Sequence, residues 1–162
     1  MKHNTVALAA LLLGACASTP EAPVAHHPEA RSFAVSDDAA AEVDAALERA
    51  MSSSKHVMLV MGANWCHDSR ALAGWLETPR FERLVEAEYE LVFVNIGMPQ
   101  TGDGHNLDIA ARFGLEELPG TPNLLVLTPF GTLVNGDTAT TWRNAASRSE
   151  DEIYEELVRL AS

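Results

Sequence analysis

"GANWCHDSRAL", residues 62–72, sets a tryptophan before one of the chain's two cysteines and a serine three places after it. The stretch overlapping it upstream, "HVMLVMGA" (56–63), is a near-continuous apolar run, the pattern of a strand buried on both faces. Downstream, Leu72, Trp75 and Leu76 recur at i, i+3 and i+4, so a helix follows Cys66. A cysteine that closes a buried strand and opens a helix sits beside unpaired backbone N–H groups at the positive end of the helix dipole. Such a place favours the thiolate, the nucleophilic form of the side chain. A protonated His67 adds to that effect, and Asp68 opposes it.

Working outward, Ser36 is placed to cap a helix running to about Met51, with Asp37 and Asp38 in its first turn. Val43, Leu47, Ala50 and Met51 give that helix one apolar face. Past Cys66, Thr78-Pro79 ends one helix and starts another, with threonine as cap and proline at the first helical position. Phe81, Leu84 and Val85 form its inner stripe. "YELVFVNIG" (89–97) reads as a second buried strand, and "MPQTGDGH" (98–105) as a loop. Asn106 then caps a short helix ending at Gly114. "NLLVLTPFGTLVN" (123–135) reads as two short strands around a Pro-Phe-Gly turn, a hairpin. In "SEDEIYEELVRLAS" (149–162), Ser149 and Glu152 make a capping box ahead of a stripe of Ile153, Leu157, Leu160 and Ala161.

This order predicts an α/β domain. A helical crossover makes the first two strands parallel, and an antiparallel hairpin completes the sheet. With 162 residues, 47% of them hydrophobic and 21% charged, the chain is one packed domain with a tail. The net charge of −12, from 11 Lys+Arg against 23 Asp+Glu, argues against nucleic acid as a partner.

The tail has its own signature. "MKHNTVALAALLLGAC" (1–16) carries Lys2, an apolar run too short to span a bilayer, and then small residues, which is a secretory pattern. Its ending, "LGAC", resembles the lipobox of bacterial lipoproteins. The resemblance implies a signal over residues 1–15, cleavage before Cys16, and a membrane anchor through acyl chains on Cys16. Ala17, rather than Asp, in the next position points by analogy to the outer membrane. An ordinary secreted protein cut near Ala17 or Ser18 is the alternative. Residues 16–35, with three prolines in "ASTPEAPVAHHPEARS" (17–32), read as an extended tether, and residues 36–162 as the folded domain. His26 and His27 in that strap make at best a weak, nonspecific metal site. With Cys16 acylated, Cys66 is the sole thiol in an oxidising compartment.

The element order and two motifs together resemble the thioredoxin superfamily across residues 36–162. "NWCHDS" (64–69) is similar to its W-C-x-x-C site with serine in the last place, and "GTPN" (120–123) to its cis-proline loop. "VMGANWC" and "ETPRF" resemble the thioredoxin-like domains of secreted thiol:disulfide interchange proteins. The resemblance implies a central mixed sheet with parallel strands and a C-terminal antiparallel hairpin, and helices on both faces. It also implies that Cys66 and Ser69 hold the catalytic positions, with Trp65, His67, Asp68, Thr121 and Pro122 around them. Ser69 stands where the family has its resolving thiol, and Val60 where it usually has a buried acid. Both departures fit a natural monothiol site, although an engineered replacement at position 69 would leave the same serine.

Each residue also has a plainer reading. Trp65 serves as a core aromatic, Cys66 as a buried relic, Ser69 as a local hydrogen-bonding group, Thr121-Pro122 as structure, His105 as a solvated loop histidine, and Trp142 as packing over the hairpin. Three functions fit. The first is exchange with protein or peptide thiols and disulfides in the envelope, through Cys66. The second is a non-catalytic, chaperone-like binding module. The third, a copper handler using Cys66, His67 and His105, is the weakest, because adjacent residues at a helix start rarely point at one ion. The sequence therefore assigns no metal and no cofactor.

Overall fold

The computed structural model describes residues 27–162; the signal 1–15, Cys16 and residues 17–26 lie outside the described residues. Helix α1, Ala39–Ser53, starts later than the sequence predicts. Asp38 is its cap, its carboxylate accepting from the Ala41 N–H at 2.9 Å, while the Ser36 hydroxyl donates to the Glu42 carboxylate, six residues on, at 2.6 Å. The buried face runs through Ala39, Val43, Ala46 and Ala50, so small side chains bring the helix close to the sheet. Met51, expected on that face, is exposed.

Strand β1, His56–Gly62, is the buried centre of a three-stranded sheet. Helices α2, His67–Leu76, and α3, Pro79–Glu88, cross over to β2, Tyr89–Asn95. That crossover makes β2 parallel to β1, from His56 opposite Tyr89 to Gly62 opposite Asn95. Thr78 occupies the cap position of α3 but donates its hydroxyl back to the Trp75 carbonyl at 2.9 Å instead of capping. β2 is an edge strand, not fully buried as expected, and Leu91 and Phe93 are half-buried. The Gly-Pro loop contains a small pair, β3 (Gly97–Met98) with β4 (Asp103–Gly104). Asn106 precedes helix α4, Leu107–Arg112, but its side chain donates to the Asn95 carbonyl rather than capping.

β5, Asn123–Leu127, pairs antiparallel with β1. Its expected hairpin partner is reduced to a single bridge, Leu127 opposite Leu133. Asn135 explains why. Its side-chain carbonyl accepts from the Val126 N–H at 2.8 Å and its amide donates to the Leu124 carbonyl at 2.9 Å. One amide side chain thus makes the bonds a strand backbone would make.

Side chains from alternate positions of the sheet fill two cores. Met58, Val60, Leu124 and Val126 meet α2, α3 and the last helix, α5 (Glu150–Leu160), with Trp142 and Phe81 at the centre. Val57, Leu59, Met61 and Leu125 meet α1 and α4 on the other face. The hydroxyl of Tyr89 donates to the Leu157 carbonyl and so ties β2 to α5; burial pushes the phenol pKa upward. Among the described residues no helix is long and apolar enough to cross a membrane.

The capping box of α5 forms as the sequence predicts. Ser149 Oγ accepts from the Glu152 N–H, and the Glu152 carboxylate accepts from the Ser149 N–H at 2.8 Å. That N–H bond is the main cause holding the Glu152 pKa below its ordinary 4.5. The box therefore contributes fully above that value and is lost as pH falls through the lowered one. Ser149→Ala is expected to cost about 1 kcal/mol, read from the urea midpoint at neutral pH.

The expectation of a tether through residue 35 is corrected at its end. Phe33 is 1% exposed and meets Phe93 edge-on at 5.3 Å. The Ala30 N–H donates to the Arg70 carbonyl, and the Pro28 backbone lies against Gly74, where an added Cβ would come within 2.5 Å. Residues 28–33 are a strap laid across α2.

Candidate functional site

The chain turns sharply between β1 and α2, the Cys66 N–H donating to the Ala63 carbonyl at 3.1 Å. Cys66 is the cap residue of α2, with extended backbone and no side-chain capping bond. The N–H groups of His67, Asp68 and Ser69 therefore open the helix beside its thiol. Sγ donates to the Thr121 carbonyl at 3.5 Å, and the Thr121–Pro122 peptide bond is cis. β5 brings that loop to the thiol: Asn123 pairs with Met61 at the end of β1, and its amide donates to the Gly120 carbonyl at 2.7 Å. Cys66 is 8% exposed.

Trp65 is 45% exposed, with its indole N–H donating to the Gly97 carbonyl at 3.0 Å. One edge is thus fixed while the ring remains at the surface beside the thiol. His105 packs on that same Gly97, where an added Cβ would lie 2.7 Å from its Nδ1. Its connection to the corner runs through Gly97 and Trp65.

Ser69 is fully buried. Its hydroxyl accepts from the Ala63 N–H at 3.4 Å, and a Cβ on Gly62 would come within 2.7 Å of it. The hydroxyl is turned toward the end of β1, and among the described residues no hydrogen bond joins it to Cys66. Val60 lies in the apolar core beneath α2. The buried polar side chains among the described residues are Ser69, Thr121, Asn123 and Asn135, none of them charged.

Asp68 has a structural partner that the sequence does not predict. Its carboxylate accepts from the Ala146 N–H at 2.8 Å and fastens α2 to the turn after Trp142. Trp142 is fully buried against that side of the sheet, with the Arg148 guanidinium 4.5 Å from its ring. His67 turns outward, its Nε2 3.2 Å from Glu29 Oε1 in the strap. The expected alternative of copper on Cys66, His67 and His105 is corrected here. Among the described residues, the group of three that converges is His27, Glu29 and His67.

Three further residues shape the corner. Arg70 donates to the carbonyls of Asn64 and Trp65 at 3.2 and 3.1 Å, and to Glu29 at 2.9 Å. The Arg70 bond is the main cause holding the Glu29 carboxyl below the usual range. Asn64 accepts from the Phe33 N–H and donates to the Phe33 carbonyl at 2.9 Å, while Asn95 donates to the same carbonyl. A lone aromatic after the proline-containing tail and an asparagine in a strand-to-helix turn were the available signals.

A family model described as thioredoxin-like matches residues 38–129. The solved structure of a disulphide isomerase from Xylella fastidiosa Temecula1 superposes with a TM-score of 0.71 at 27% identity. The match covers 82% of this chain and all of that one. No curated protein matches the sequence.

Proposed function

The chain belongs to the thioredoxin-like family, and from that premise we propose that it exchanges and isomerises protein disulfides with Cys66 as sole nucleophile. The observation that carries this reading is the thiol at the start of α2, against the Thr121 carbonyl and beside the cis proline, with serine at position 69. The Cys66 thiolate attacks one sulfur of a substrate disulfide. The substrate S–S bond breaks, a Cys66–substrate disulfide forms, and the other sulfur leaves as a thiolate that takes up a proton. A different substrate thiolate then attacks the mixed disulfide, forms a new substrate S–S bond and returns Cys66 as thiolate. The disulfide is moved with no net oxidation. Ser69 has no thiol with which to end the first encounter, so the intermediate waits for the substrate. The N-terminal pattern supports the site of action: an envelope protein held through an acylated Cys16, on the periplasmic side of the outer membrane.

A second reading, a binding module that keeps the groove without the chemistry, is favoured by the near-complete burial of Cys66. One experiment separates the two. The reduced protein is mixed with a disulfide-scrambled protein, quenched with alkylating agent and run without reductant. Exchange predicts reductant-sensitive adducts, and a chain that forms none supports the binding module. Ser69→Cys is expected to shorten adduct lifetime roughly tenfold or more, because a second thiol held in the same helix turn competes with the substrate's own thiols for the mixed disulfide.

A further inference from the structure

We propose that His27, Glu29 and His67 form a divalent transition-metal site that clips the strap to the first turn of α2. Their ligand atoms all lie within 4.8 Å of one another, and His67 Nε2 is already 3.2 Å from Glu29 Oε1. A tetrahedral ion with bonds of about 2.1 Å needs ligand atoms about 3.4 Å apart. One pair meets that spacing, and the third atom reaches it by a shift of roughly 1–2 Å in side chains that are not packed in the core.

The surroundings are those of a ligand set. The His27 ring lies 4.7 Å from the His67 ring, centre to centre, and its Nδ1 donates to the Pro28 carbonyl at 3.2 Å, leaving Nε2 to bind. A ligating histidine commonly has its other nitrogen held in this way. Arg70 donates to Glu29 Oε2 at 2.9 Å and leaves Oε1 turned to His67. An exposed His–Glu pair alone gains little, whereas a shared cation takes both imidazoles as neutral ligands. Two histidines and a carboxylate suit zinc and similar divalent ions, and the exposure of Glu29 and His67 leaves the fourth position to water. The site borders Cys66 but does not include it.

The test is calorimetric titration of the metal-stripped full-length protein with Zn(II), in the native chain and in His67→Ala, Glu29→Gln and Cys66→Ala. Expected are one equivalent bound by the native chain, affinity lowered at least tenfold by either of the first two changes, and binding retained in Cys66→Ala. His67 and Glu29 are exposed, and an unchanged thermal midpoint of the stripped variants confirms that loss of binding is not loss of fold. No stoichiometric binding, full binding by His67→Ala, or loss in Cys66→Ala would overturn the proposal.

Discussion

Cys66→Ser is expected to reduce mixed-disulfide adducts to background while leaving the fold intact. The substitution changes one atom, and a serine hydroxyl can still donate to the Thr121 carbonyl that now accepts from Sγ at 3.5 Å. The start of α2 does not depend on the sulfur either, since Cys66 makes no side-chain capping bond. What disappears is the nucleophile, because disulfides exchange through attack by a thiolate and a serine offers none. Non-reducing gels and the far-ultraviolet spectrum, read together, check both halves of the expectation. Adducts surviving at the native level would place the chemistry on Cys16, the other cysteine of the chain.

Phe33→Ala is expected to cost about 3–5 kcal/mol, the largest stability loss anticipated for a residue outside the compact domain predicted from sequence. The ring is 1% exposed and lies so close over Gly62 that an added Cβ there would come within 2.8 Å of it. Removing it opens a void against Phe93, Gly62 and the β1 turn. Domains of this kind have about 5–15 kcal/mol in total, so the variant should unfold at a much lower urea concentration. The same variant should also loosen Asn64, which holds the Phe33 backbone and immediately precedes Trp65 and Cys66. A loss under about 1 kcal/mol would mean that the strap is not part of the folded unit, since such small values are typical of surface positions.

The strap was not legible in the sequence, and the reason is physical. Its one proline and its small and charged residues carry no periodicity, and the contacts that order it reach Asn64, Arg70 and Gly74, some 30 to 46 positions away. Local patterns did carry the elements that satisfy themselves. The run of β1, the capping box of Ser149 and the Thr78-Pro79 break all read correctly in position. The second hairpin strand failed because the Asn135 side chain supplies bonds that the pattern assigned to backbone. At the site, the thiol, its serine neighbour and the Thr121–Pro122 loop could be placed from motif and order. The directions of Asp68 and His67 could not, since Ala146 and Glu29 decide them.

The docked strap also sets how far the protein can reach. With Cys16 as the anchor point proposed above, a tether through residue 35 would have given a leash of about 70 Å at full extension. The structure holds the chain from His27 onward, and the eleven residue steps from Cys16 to His27 span about 40 Å at most. Because the His27 ring lies against His67, the residue next to Cys66, that span ends beside the thiol rather than on the far face. Substrates would then meet Cys66 in a shell no deeper than about one protein diameter from the lipid, which favours targets that are themselves at the membrane surface.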